Sequence, residues 1–460
     1  MVSAERALPF PLTPGRVMDA ELSGDIEMAT QSKSGVALGD LDPSFGEQGK
    51  VLLDFPGARF KSVHGMNLTP AGKILVVGST DPAAFIVGCL TENGEIDNSF
   101  GQNGFMKGKF QKHASVGGFV IPLSDGKILV GGSYSANDES LPAISRLLPD
   151  GNFDTAFANG GTFVFPPDAI PSDTKNDTDV TPEPSRSEGS SGMRSTLLPD
   201  GRILMSQVNV SNRYKFGLLI RLTADGLLDS SFNGTGFTFV RYPHKNVSRT
   251  SVLSFMVTDR TEIIVCGQIE IEGRSVQGLL ARYGTNGRPD TRFGSEGTGF
   301  IALDVDPHLI RVDDIVEGQD GRFVGFGTLT NLETAKQGAI AFGRTREGTP
   351  DTRFNKGQIA SVIDLEVASE WYSAAMMMAS NKFVATGIAH DSSLKKQEIL
   401  VGRYLGSGEL DNEFSDGRGW VTVGKGLEPR LILQSDNKIL VCYVHWVLGS
   451  SESYVVRLMN

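Results

Sequence analysis

The sequence is poor in the residues that build most reactive centres. Its 460 residues include three cysteines, six histidines and three tryptophans. Cys89, Cys266 and Cys442 are scattered through separate apolar runs. An odd and dispersed set excludes a disulfide framework and a zinc site of paired cysteines, so buried free thiols are expected. No apolar stretch approaches the roughly 18 residues of a membrane-spanning helix, and none keeps a 3.6-residue period. Positive charge is also short: 43 Lys and Arg stand against 54 Asp and Glu, a net charge of −11. That balance argues against nucleic acid and anionic membrane surfaces as partners. There is no P-loop, no Gly-x-Ser-x-Gly, no His-Glu-x-x-His and no EF-hand loop.

Glycine, by contrast, is abundant at 55 residues, and its placement is periodic. The pattern Gly-x-x-Asp-x-x-Phe, clearest from Gly94 through Asp97 to Phe100, recurs with its aspartate at Asp42, Asp97, Asp154, Asp229, Asp290, Asp351 and Asp411. The spacings are 55, 57, 75, 61, 61 and 60 residues. A second element keeps the same beat: a turn followed by an apolar run, as in Gly72-Lys-Ile-Leu-Val-Val and Gly126-Lys-Ile-Leu-Val. A fixed period of this size is a repeat architecture. Each unit reads as four short strands, placed in the first unit at Val63–Leu68, Lys73–Gly78, Ala84–Leu90 and from about Gly104. Four-stranded units repeated radially are the blades of a β-propeller. The fold expected is therefore all-β: a seven-bladed β-propeller with four antiparallel strands per blade.

The Asp-x-x-Phe has a structural role to fill. An Asp at a turn accepts backbone N–H groups two or three residues on, and the Phe is then aimed between blades. Arg146, Arg221, Arg282, Arg403 and Arg457 end the third strand of five units and are placed to pair with that Asp. The consensus Asp-Gly-Lys-Ile-Leu-Val followed by Arg-Leu-x-x-Asp-Gly-x-Leu-Asp-x-x-Phe-Gly-x-x-Gly resembles the delta-60 repeat family of bacterial β-propeller-like proteins. The resemblance covers residues 38–460 and implies the propeller fold; it implies no shared activity. The chain departs from it where Ala158, Asn233, Asn355 and Ser415 replace the glycine seen at Gly101, and where unit five has Gly343 in place of Arg.

The last unit stops after its third strand, at Arg457-Leu-Met-Asn460, and the first Asp-x-x-Phe has no three strands before it. Residues near Leu38 to Phe55 are thus expected to complete the final blade, closing the ring and removing an open edge. Residues 1–37 form a leader expected to be extended or disordered. It lacks the apolar core of a signal peptide, being broken by Pro9, Pro11, Pro14 and Arg16, so a cytoplasmic location is expected, with leaderless export as the alternative. Residues 166–192, rich in Pro, Ser, Asp, Glu and Thr, form a low-complexity insertion between units two and three.

The most functional-looking stretch runs from Asp304 through Asp306, His308 and Arg311 to Asp313 and Asp314. It occupies the entry and inner strand of unit five, where other units are small or apolar, as in Ser373-Ala-Ala-Met376. Successive strand residues face opposite ways, which directs one of Asp313 and Asp314 at the channel. Aligned inner-strand positions in the adjoining units give Trp371 and Tyr372, then Arg430, then His64. These six residues are the candidate ligand-binding arc. Asp304, Asp306 and His308 are the candidate metal ligands, and Ca2+ is the ion such oxygen-rich ligands suit. Two readings follow. The first is a non-catalytic scaffold or binding module, a monomer whose channel mouth takes another protein or a small polar ligand. The second is a metal-dependent hydrolase or lyase of a small sugar-like substrate with its site in the central channel.

Overall fold

The computed structural model describes residues 36–460 except 56, 59–60, 82, 137–138, 171–192, 209–214, 273–275, 306, 363–367 and 391–396. The expected leader therefore lies outside the described residues, apart from its last two. In the first blade β2 (Lys61–Leu68), β3 (Ile74–Thr80), β4 (Ala84–Leu90) and β5 (Phe105–Gly108) form an antiparallel meander from the inside of the ring outwards. Six more four-stranded sheets follow. Their inner strands are β6 (Ala114–Pro122), β10 (Met193–Leu197), β14 (Val247–Val257), β18 (His308–Glu317), β22 (Ala368–Met377) and β26 (Leu427–Leu433). The chain is a seven-bladed β-propeller. Among the described residues no helix is long and apolar enough to cross a membrane.

Both faces of each sheet pack against neighbouring blades, so the middle strands read as continuous apolar runs rather than alternating ones. Every residue of β4, from Ala84 to Leu90, is buried. Closure follows the same logic. β1 (Lys50–Leu52) pairs antiparallel with β28 (Ser450–Leu458) in the register Lys50 to Val456. The amide of Gly39 donates to Met459 and that of Met459 to Asp40. One core cluster spans the seam, joining Phe45 and Val51 to Ile74 and Val76 of blade one and to Leu440 and Cys442 of blade seven. All three cysteines are buried free thiols.

The repeated Asp-x-x-Phe builds the joint between blades. In all seven units the aspartate accepts the amide two residues on, from Ser44 on Asp42 at 3.0 Å to Glu413 on Asp411 at 3.1 Å. All five arginines pair with their aspartates at 2.7–3.1 Å. Each also lies over its own phenylalanine, with 4.7–5.1 Å from guanidinium carbon to ring centroid. Four of them donate to a backbone carbonyl in the next blade's turn, as Arg457 does to Glu92 at 2.8 Å. The seven phenylalanines are 0–6 % exposed.

The departures from consensus are explained by geometry. Gly101, Ala158, Asn233, Asn355 and Ser415 all have φ between 43° and 54°, a conformation cheap for Gly, tolerated by Asn and strained for Ala. In unit five, where the arginine is missing, Arg322 holds Asp351 at 2.9 Å, a pair that the basic residue at this position also makes in units with the arginine. A Cβ on Gly343 would lie 2.5 Å from the Cβ of Phe354, so the phenylalanine occupies the vacated space. In blade one Lys73 does the same for Asp97 at 2.6 Å. The expected insertion begins later than its composition suggests: Pro167–Ala169 form a short 3-10 turn, and Ile170 is buried in the core beside Phe165. Two apolar anchors hold this stretch against the blade; residues 171–192 lie outside the described set.

Candidate functional site

The inner strands are nearly alike in backbone and unlike in what they present. Among the described residues six of the seven carry a β-bulge at one level, where an extra residue breaks the ladder to the second strand. The extra residues are His64, Gly118, Leu253, Asp313, Tyr372 and the pair Glu428–Pro429. A bulge bends its strand and re-aims a side chain, as often happens beside binding sites. It also brings a carbonyl of the inner strand against the second strand. A Cβ on Gly78, Gly132, Gly267, Gly327 or Gly387 would sit 1.7–1.9 Å from that oxygen. The next residue up forms a tier around the channel, in matching register: Gly65, Phe119, Arg194, Ser254, Asp314, Ser373 and Arg430.

On blades five, six, seven and one this region is polar and connected. Arg311 donates from Nε to both oxygens of Asp313 at 3.0 and 2.8 Å. Its Nη2 donates to Glu370 Oε2 at 2.7 Å and to Thr328 at 3.2 Å. The other oxygen of Glu370 lies 3.2 Å from His390 Nε2. Burial works against the Arg311 charge, but Asp313, Glu370 and Tyr372 outweigh it and hold the guanidinium above its ordinary range. Asp314 fastens three blades: it accepts Ser254 Oγ at 2.7 Å from blade four, the amide of Ala374 at 2.8 Å from blade six, and the amide of Ile315. Across the seam His64 Nε2 meets Ser79 Oγ at 3.0 Å, and its Nδ1 lies 3.5 Å from Glu428 of blade seven. Arg430 donates from Nη1 to the Pro429 carbonyl at 3.0 Å, while its Nε is buried without an acceptor.

The structure thus brings together most of the candidate arc. Asp313, Tyr372, His64 and Arg430 belong to neighbouring inner strands at or beside the bulge. Trp371 does not join them. It is fully buried between blades five and six, with Nε1 donating to Tyr404 at 3.1 Å. It occupies the position of Val63, Val252 and Val312, one residue before the bulge, where the side chain faces the core. Asp314 is buried as an inter-blade fastener rather than aimed at the channel. Of the candidate metal ligands, Asp304 is exposed, His308 begins β18, and Asp306 lies outside the described residues. Among the described residues no three His, Cys, Asp or Glu side chains converge to hold a metal.

Residues 70–100 and 123–157 match the profile of a β-propeller domain of unknown function, DUF5122. The two matched segments fall on blades one and two and include Asp97–Phe100 and Asp154–Phe157. None of the curated proteins matches the sequence. Solved structures resemble it at a distance. Drosophila Semaphorin 2a aligns at 7% identity over 92% of this chain and 76% of its own, with a TM-score of 0.46. The β-propeller domain of the Trilobed protease from Pyrococcus furiosus aligns at 7% identity over 88% and 97%, with a TM-score of 0.42. The polysaccharide lyase Uly1 aligns at 8% identity over 91% and 99%, with a TM-score of 0.39. Likenesses this remote carry nothing about activity.

Glu370, His390 and Arg194 have no motif and were not among the sequence candidates. Aligning the inner strands on the turns at Gly201 and Asn437 puts Arg194 level with Arg430, the one signal that finds it. On the opposite face, where the first and second strands turn, a cleft of about 680 Å³ is lined by Asp259, Arg260, Glu317, Arg346 and Met378. Burial pushes the Glu317 carboxyl up, and the nearby Asp259 and Glu262 add to this. The channel arc differs in kind: its carboxylates are already ion-paired or hydrogen-bonded, an arrangement suited to fixed recognition of a polar group.

Proposed function

We propose that the chain is a binding module of the delta-60 repeat type, in which the ring is a scaffold and the channel mouth takes a small polar ligand or a segment of another protein. One observation carries this reading. On a frame whose seven joints share one Asp and one Phe, four consecutive blades carry His64, Asp313, Tyr372 and Glu428 at the bulge, where the others carry small or apolar residues. An asymmetric polar concavity on a symmetric frame is what a binding site requires: a few convergent polar groups held rigidly. The ion pairs of Asp313 with Arg311 and of Arg311 with Glu370 fix those groups before any ligand arrives. The hydrolase or lyase reading needs a converging metal set, and nothing among the described residues favours it.

The test is a panel of monosaccharides, sugar acids, dicarboxylates and amino acids titrated into the full chain by calorimetry, with each ligand followed by NMR. The expected result is saturable binding of a ligand that is recovered unchanged and whose affinity falls at least tenfold in Tyr372→Ala. Conversion of the ligand to product would overturn the reading in favour of catalysis. Binding that ignores Tyr372→Ala would move the site away from the arc.

A further inference from the structure

We infer that the central channel holds a site for a small oxyanion, between the guanidinium groups of Arg194 on blade three and Arg430 on blade seven. The inference rests on the reading of the ring as a binding module and narrows its ligand to one carrying a carboxylate, sulfate or phosphate group. The two arginines occupy the same register level of their inner strands, directly above the bulge tier: Arg194 opposite Ser206 and Arg430 opposite Cys442. Blades three and seven are not neighbours, yet the Arg194 charge acts on Arg430, which brings the two groups near one another from different sides of the channel.

Most other arginines among the described residues hold a carboxylate. Arg146, Arg221, Arg282, Arg403 and Arg457 each hold the aspartate of their joint, and Arg311 holds Asp313 and Glu370. Among the described residues neither Arg194 nor Arg430 forms an ion pair. Arg430 has one hydrogen bond, to the Pro429 carbonyl, and its Nε is buried with no acceptor. Among the described residues the two acids whose charges act on Arg430 form no ion pair with it. Asp314 accepts Ser254 and two backbone amides, and Glu428 lies against His64. They attract Arg430 from a distance, while burial first and then Arg194 push its guanidinium down to about 10. A buried donor without an acceptor costs free energy, as does a like-charge pair left uncompensated. An oxyanion removes both costs at once, accepting from two planar forks that suit its geometry.

The experiment uses the full chain, with inorganic phosphate, sulfate and malonate as separate probes and chloride at matched ionic strength as the reference. Thermal shift and calorimetry are expected to show that at least one oxyanion binds and raises the melting temperature where chloride does not. The phosphate, sulfate and malonate arms identify which oxyanion group is taken. Arg194→Met and Arg430→Met should each weaken that binding at least tenfold. Without oxyanion, neither variant should melt appreciably lower than the parent, because each removes a charge with no ion-pair partner and Arg430 gives up only its hydrogen bond to the Pro429 carbonyl. Absence of an oxyanion-specific shift, or equal affinity in parent and variants, would overturn the site. A large fall in melting temperature of Arg430→Met without oxyanion would make that residue structural and overturn it too. If a neutral polar ligand still binds in a Tyr372-dependent way, the module reading survives while the oxyanion site does not.

Discussion

Replacing Asp229 by Asn removes one charge from one joint and leaves its shape. Asp229 accepts Arg221 Nε at 2.7 Å, Arg202 Nη1 at 3.1 Å, and the hydroxyl and amide of Ser231 at 2.7 and 3.1 Å. Burial pushes its carboxyl up, but Ser231, Arg202 and Arg221 outweigh burial and hold it at about 2, against an ordinary value of 3.8. At 1.36 kcal/mol per pH unit, the charged form contributes about 2 kcal/mol to folding at neutral pH. Because the folded value is depressed, that stability is fully present above the ordinary value and is lost as pH falls through 4 towards 2. At pH 3 about half of it remains, roughly 1 kcal/mol. The substitution also leaves Arg221, only 3 % exposed, without its anion; removing one partner of a buried pair costs about 3–5 kcal/mol, and the amide oxygen that Asn keeps for Ser231 places this case at the lower end. Asp229→Asn is therefore expected to lose about 3 kcal/mol at pH 7, and about 1 kcal/mol less than that at pH 3. Urea titration followed by tryptophan fluorescence at the two pH values measures both. A loss under about 1 kcal/mol at pH 7, or the same loss at both pH values, would refute the reasoning that these aspartates hold the blades through charge.

Two further substitutions probe the frame and the site separately. Phe100 is 6 % exposed in a core shared by blades one and two, and Phe100→Ala should cost about 3–5 kcal/mol in chemical denaturation; a loss below about 1 kcal/mol would mean the ring is not packed through these rings. At Gly327 a Cβ would lie 1.9 Å from the Arg311 carbonyl, so Gly327→Ala must push the bulge away; a destabilisation of about 1–3 kcal/mol is expected, with loss of Tyr372-dependent binding, and an unchanged protein would show that the bulge is not rigid.

The frame was legible in the sequence because its copies repeat one chemistry. An Asp that needs a turn amide and a Phe that needs a gap between blades recur in all seven units, an Arg that needs the Asp recurs in five, and the half-units at the two ends complete one blade. The site was legible in part. Asp313, Tyr372, Arg430 and His64 stood out as polar residues in strands that are otherwise apolar. What period-two alternation could not show was the bulge, since an inserted residue shifts which side chains face the core. Strict alternation places Trp371 in the channel for that reason, though the valines at the same position in blades one, four and five mark it as a core residue. The glycines at Gly78, Gly132, Gly267, Gly327 and Gly387 were a visible trace of the bulge, being small only where a carbonyl presses close. Arg194 follows a segment of different composition, and only alignment on the next turn brings it level with Arg430. Glu370 and His390 act through a network that crosses from blade five to blade six, and no linear pattern reports such a contact.

The measurement that tests the central claim most directly is where a bound ligand sits. Crystals of the full chain soaked with a mixture of sugar acids and malonate should show difference density in the channel, against the arc of Asp313, Tyr372, Arg430 and His64, with the ligand intact. Density confined to the opposite face, in the cleft of Asp259, Glu317 and Met378, or a ligand cleaved in place, would contradict the account.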